Sequence, residues 1–206
     1  MRLLYSGGSP FARIIRIALL ETGLDPAVSK TELTRAQLYS AESDVLPLNP
    51  VGRVPTLELD DGTVLTESKL ILDYIDAINP GPKLVPLDGS DSWRTLAEFG
   101  QALGVLESVT VWLRARALPE QQRPLETIAR ENVRLDRAAQ SINDGIAGGA
   151  YGGPLNAAQI ALGTALGVAE KRLLVWDWRN GRSHLSEWYD AIAARPSFRA
   201  TEPPAL

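Results

Sequence analysis

The chain has 206 residues, 45% hydrophobic and 22% charged, with a formal net charge of −4; it can bury a sizeable core and falls between one and two ordinary domains. Cysteine is absent, which excludes disulfides, thiolate metal sites and any thiol nucleophile of the chain's own. The mild acidity without a basic run disfavours nucleic acid or an anionic membrane as partner, and with no apolar stretch near the roughly 20 residues of a membrane span and no signal pattern after Met1 and Arg2, the expected compartment is the cytoplasm.

In chain order, Leu3-Leu4-Tyr5 is a short apolar strand. Phe11 to Thr22 sets Phe11, Ile14, Ile15, Ala18 and Leu19 on one helical face, with Arg13 and Arg16 off it. Gly23-Leu24-Asp25-Pro26 stops that helix, Ala27 to Leu33 reads as a second strand, and the polar stretch Thr34 to Leu48 as a short or irregular helix. Thr56-Leu57-Glu58-Leu59, Asp60-Asp61-Gly62 and Thr63-Val64-Leu65 are alternation, turn and apolar run, the pattern of a β-hairpin. Thr66 is placed to cap a third helix whose stripe is Leu70, Ile71, Tyr74, Ile75 and Ile78. The order to residue 79 is thus β-α-β-α-β-β-α. Prolines and glycines over 80–92 mark a linker. Beyond it only helical periodicity occurs, over Trp93 to Leu118, Pro119 to Ala147, Ala157 to Leu174 and Leu185 to Arg195. The expected fold class is an α/β unit (1–79), a linker (80–92) and an all-α unit (93–206).

The loop Ser6-Gly7-Gly8-Ser9 leads into the first helix, where free backbone N–H groups favour an anion. Pro10 suits the first helical position and makes Ser9 the N-cap. Locally, Ser9 is either a cap alone or a cap whose hydroxyl also serves a bound group; Ser6 is a second hydroxyl nearby. Pro55 heads a strand without a donor for the ladder, which leaves an edge position or a cis bond. Glu67 and Ser68 fall in the first turn of the third helix, which suits a carboxylate ligand, although Glu67 also simply complements the helix dipole. Arg53 is either a solvated side chain or a carboxylate partner. Leu103, Leu106, Glu107, Val111, Trp112 and Arg116 divide between bundle core and a pocket facing the first unit, while Trp176 and Trp178 read as packing. Asn156 and Gln159 are spaced to cap each other's backbone. His184, the sole histidine, has no cysteine to help it bind a metal, and none is expected.

Taken together and in this order, the Ser9-Pro10-Phe11-x-Arg13 helix start, Asn49-Pro50-Val51-Gly52-Arg53-Val54-Pro55-Thr56-Leu57, Glu67-Ser68, the helical second half and Ala194-Arg195-Pro196-Ser197-Phe198 resemble the glutathione transferase superfamily over the whole chain, in a serine-type, bacterial-like form. The resemblance implies a thioredoxin-like glutathione-binding domain at 1–79 and an all-helical domain at 93–206 contributing the electrophile pocket. It further implies a cis Val54-Pro55 bond with the Val54 backbone pairing the tripeptide, Glu67 and Ser68 at its γ-glutamyl end, and Arg53 at its glycyl carboxylate. Ser9 would activate the thiol for attack on a small hydrophobic electrophile. Glutathione is then the co-substrate, and the protein a homodimer with a role in detoxification. A glutathione-dependent isomerase, dehalogenase or peroxidase, or a non-catalytic binding scaffold, are the other readings. Disulfide-reducing members with cysteine at the Ser9 position are disfavoured, because serine forms no mixed disulfide.

Overall fold

In the computed structural model, which describes residues 1–85, 92–172 and 176–204, the apolar Leu3, Leu4 and Tyr5 lie in the inner strand β1 (Arg2–Tyr5). β1 pairs in parallel with β2 (Ser29–Glu32) and antiparallel with β3 (Thr56–Glu58), and β4 (Val64–Leu65) closes the expected hairpin with β3. The sheet order is β2-β1-β3-β4, with Leu3 opposite both Lys30 and Leu57. The edge strands carry the polar and part-exposed residues, as edges commonly do.

Three helices complete this thioredoxin-like half: α1 (Pro10–Glu21), the single turn α2 (Arg35–Leu38) and α3 (Ser68–Ile78). Two sequence expectations change here. Arg13, expected off the buried face of α1, is only 4% exposed, because α1 is covered by helices of the second half as well as by its own sheet. Its Nη2 donates to the Phe198 carbonyl at 3.1 Å and its Nε to Thr201 Oγ1 at 3.4 Å. In α3 the buried face is Ser68, Ile71, Leu72, Ile75 and Asp76, while Leu70 and Ile78 are exposed. Thr66 does not cap α3: the chain is still extended at Glu67, which holds the N-cap position without a side-chain cap bond.

The second half is α4 (Ser92–Arg116), α5 (Leu125–Ala147), α6 (Ala157–Arg172), α7 (Ser183–Ala193) and α8 (Pro196–Ala200). The helix expected from Pro119 begins only at Leu125, after a short 3-10 turn at Glu120–Gln122. Pro196, read as part of a helix ending, instead opens α8 at a position where its missing N–H costs nothing. Residues 86–91 of the expected linker, and the last two residues of the helix expected to reach Leu174, lie outside the described residues. Asn156 and Gln159 cap α6 reciprocally, each backbone N–H donating to the other's side-chain oxygen at 3.1 Å. Trp176 and Trp178 are buried, Trp178 edge-on to Tyr189 at 5.1 Å. All of α6 except Glu170 and Lys171 is buried, and it packs against both α4 and α1, so one apolar core runs through the two halves.

A polar clasp ties the end of α1 to α8. Arg195 forks onto the Glu21 carboxylate at 2.9 and 2.7 Å, and Ser197 donates to the same group. The Arg195 hydrogen bonds hold the Glu21 carboxyl below its usual range, against the opposing effect of burial. A carboxyl depressed in the folded state stabilises the fold above its unfolded value and loses that contribution as pH falls through the folded one. Urea midpoints of the native protein should therefore drop more steeply below about pH 4.5 than those of Glu21→Gln, which has no proton to take up there.

Candidate functional site

Topology gathers the candidate residues before any side chain is considered. β1 and β4 both run antiparallel to β3, so the helices that follow them, α1 and α3, start at the same end of the sheet. β3 enters at that end, and Val54-Pro55 stands immediately before it. Two helix N-termini, each with unpaired N–H groups and a partial positive charge, thus flank the turn that precedes β3.

Ser9 is the N-cap of α1, extended in backbone (φ −84°, ψ 117°), with Pro10 after it. Its Oγ accepts from Ala12 N–H at 3.2 Å and lies 3.4 Å from the Val54 carbonyl, to which it donates. The second contact is long for a hydroxyl hydrogen bond, and that hydrogen is easily redirected. The Val54-Pro55 peptide is cis, as the resemblance implies; Pro55 is buried and Val54 half-buried.

The turn ahead of Pro55 is held by Asn49, a buried residue to which the sequence reading gave no role. Its Nδ2 donates to the Arg53 carbonyl at 3.0 Å and to Thr56 Oγ1 at 3.2 Å, and its Oδ1 accepts from Val51 N–H. Gly52 adopts φ +67°, which an L side chain at that point of the turn would resist. These constraints are what the Asn-Pro-x-Gly spacing encodes.

Arg53 and Glu67 are exposed, and neither has an ion-pair or hydrogen-bond partner for its side chain among the described residues. Ser68 is 7% exposed at the first position of α3. The structure therefore brings Ser9 and Val54 into contact and sets Glu67 and Ser68 at the neighbouring helix start, while Arg53 points its charge at solvent. Ser6 contributes its carbonyl, which accepts from Ser9 N–H at 2.9 Å.

Two further residues shape the loop between β1 and α1, and only tertiary structure shows them. Glu32, at the end of β2, accepts from Gly7 N–H at 3.1 Å and from the Tyr5 hydroxyl at 3.0 Å. Burial and the bond to Glu32 raise the Tyr5 hydroxyl above its ordinary value, so it stays neutral. Arg172, from the far end of α6, donates to the Gly8 carbonyl at 3.2 Å. A long-range contact of this kind leaves no trace in local sequence.

Comparison with known proteins agrees with this geometry. Residues 8–78 match the glutathione S-transferase N-terminal domain, and residues 126–191 the glutathione S-transferase C-terminal domain. The uncharacterized GST-like protein YibF of Escherichia coli (strain K12) is 30% identical over 205 residues, 99% of each chain. A glutathione transferase family member from Pseudomonas fluorescens Pf-5, solved with bound S-(propanoic acid)-glutathione, superposes with a TM-score of 0.86 at 31% identity over 100% of both chains. A glutathione S-transferase from Methylobacillus flagellatus KT with glutathione bound superposes with a TM-score of 0.88 at 28% identity, covering 98% of this chain and 99% of its own. With both halves matched in order and whole-chain relatives of the same kind, this chain belongs to the glutathione S-transferase family.

Proposed function

We propose that this protein is a serine-type glutathione transferase: it binds glutathione at the end of the sheet where α1 and α3 begin and activates its thiol for attack on an electrophile. The observation that carries the reading is the Ser9 hydroxyl, held at the positive end of α1 with its oxygen 3.4 Å from the Val54 carbonyl and its hydrogen weakly committed there. A free thiol ionises near 8.5; a hydrogen bond to the thiolate and a helix N-terminus both favour the anion. Ser9 supplies the first and α1 the second. Val54 offers its backbone to the cysteinyl unit of the tripeptide, the α3 N-terminus with Ser68 and Glu67 receives the γ-glutamyl end, and the free Arg53 guanidinium reaches the glycyl carboxylate. Residues 1–79 act as the glutathione-binding domain and 93–206 as the domain that supplies the electrophile pocket, joined through 80–92.

Glutathione bound to relatives of 28% and 31% identity supports this reading. The propanoic acid on the sulfur of one of those ligands supports conjugation, the joining of a carbon electrophile to the thiol, as the chemistry. A cytoplasmic homodimer serving detoxification completes the proposal. Exposed Val51, Leu70, Trp93, Leu125 and Val133 supply apolar surface of the kind a subunit contact would cover.

Linkage gives the direct test. A ligand that binds only the folded state at 100 times its Kd adds about 2.7 kcal/mol of stability, so millimolar glutathione should raise Tm by several degrees. No shift at that concentration would refute glutathione binding; a shift without turnover of any electrophile would refute the transferase assignment and leave a binding scaffold.

A further inference from the structure

Arg172 is 8% exposed and is the last residue of α6. Its Nη1 donates to the Gly8 carbonyl at 3.2 Å, and its Nε and Nη2 both donate to the Pro204 carbonyl, at 3.2 and 3.0 Å. A guanidinium carries five N–H bonds; three are used, and two have no acceptor among the described residues. Among the described residues no carboxylate pairs with it. Glu202, two residues before Pro204, is engaged by Lys171 at 2.6 Å. Burial lowers the ordinary Arg172 value.

Arg116 adds a second cation without an ion-pair partner among the described residues. It reaches from the end of α4, stacks 5.9 Å from the Trp112 ring centre, and sends its Nη1 to the Arg172 carbonyl at 3.5 Å. The buried Arg172 guanidinium thus lies against the loop that ends in Ser9, with the half-buried Arg116 held to the last residue of α6, and the Gly8 carbonyl touched by Arg172 belongs to the peptide unit of Ser9 itself. Uncompensated buried charge is costly. A place kept cationic beside the thiol position is explained if an anion visits it.

We infer that Arg172, supported by Arg116, is an anion subsite and that the electrophile conjugated here carries a carboxylate. This rests on the conjugating reading above. A 2-enoate is a sluggish electrophile because its negative carboxylate opposes an incoming thiolate; a guanidinium on that carboxylate removes the opposition and stabilises the charge that builds on it during attack. The step balances without a further reactant. The sulfur of glutathione bonds to the β-carbon, the π pair of the C=C bond moves to the α-carbon and its carboxylate, and the α-carbon takes the proton that the thiol gave up. Glutathione and acrylate so yield S-(2-carboxyethyl)glutathione.

The test compares acrylate with its neutral isostere acrylamide in native protein, Arg172→Gln and Arg172→Lys. After correction for the uncatalysed rates, the acrylate-to-acrylamide ratio of kcat/KM should fall at least about tenfold in Arg172→Gln, as loss of a charge-assisted pair implies, and recover partly in Arg172→Lys. A ratio unchanged in Arg172→Gln would overturn the inference, since a loop clamp alone affects both substrates equally. Should the variants fail to fold, the native protein decides: S-(2-carboxyethyl)glutathione should bind at least about tenfold more tightly than S-propylglutathione, and equal affinity overturns the subsite. Glutathione that raises Tm while neither acrylate nor acrylamide is turned over also overturns it, whereas the absence of any glutathione-dependent shift removes the underlying reading instead.

Discussion

Ser9→Ala should lower kcat with glutathione by about a hundredfold at neutral pH, the scale on which one donor to a developing or stabilised anion acts, while the KM for glutathione changes little. The pH dependence separates this from loss of structure. Without the Ser9 hydrogen bond the bound thiol titrates closer to its free value of about 8.5, so the deficit should be largest near pH 7 and shrink above about pH 9, where the thiolate forms unaided. The same substitution removes the side-chain acceptor of Ala12 N–H and should cost about 1 kcal/mol of stability as a lost N-cap. Ser9→Thr keeps both an acceptor and a hydroxyl and should restore most of the rate. A kcat that falls equally at every pH, or not at all, would leave Ser9 as a cap and nothing more.

The largest expected loss of stability is at Asp76. Its two carboxylate oxygens accept from the backbone N–H groups of Leu84 and Val85 at 2.9 and 2.6 Å, in a residue 6% exposed. The Leu84 carbonyl in turn accepts from Ala157 N–H at the head of α6. Asp76→Ala strands two buried donors, at about 1–3 kcal/mol each, and should lower the free energy of unfolding by roughly 2–5 kcal/mol. Asp76→Asn, which keeps one acceptor, should fall between. The urea midpoint at unchanged m-value is the measurement; an Asp76→Ala protein within about 0.5 kcal/mol of native would show that water replaces the carboxylate.

Asp76 also marks the limit of what periodicity reveals. The spacing of α3 identified a helix of the right extent but chose Leu70 and Ile78 for its buried face, because hydrophobicity was the only guide; the face is in fact turned toward Leu72 and an aspartate whose partners, Leu84 and Val85, lie beyond the helix. Arg13 misled in the same way. A cation four residues after the N-cap reads as solvated until α6 and α8 close over it. Much of the local chemistry, by contrast, was readable, although Thr66 as the cap of α3 was not: Ser9 as cap before Pro10, the Thr56–Leu65 hairpin and the Asn156–Gln159 cap each depend on residues within a few positions of one another.

The candidate site divides along the same line. Ser9, Val54, Pro55, Glu67 and Ser68 stand at element boundaries that sequence marks with cap and turn residues, and strand direction then brings those boundaries together. Glu32 and Arg172 reach the same loop from 25 and 164 residues away. Neither sits in a motif, and only the closed fold shows what they touch.

Gly163 and Gly167 on α6 bear on how such a chain can change over time. A Cβ at Gly163 would meet Phe198 Cε1 at 2.7 Å and Ile192 Cγ2 at 2.8 Å; one at Gly167 would meet the Tyr189 hydroxyl at 2.8 Å and Arg13 Nη1 at 2.9 Å. All four contacts are closer than side chains tolerate without displacing their neighbours. At Gly167 a residue from the beginning of the chain and one from near its end therefore cross the same bare patch of helix. Exchanging either half with a relative's brings together surfaces that never adjusted to each other, so substitutions at Arg13, Gly167 and Tyr189 must be inherited as a set.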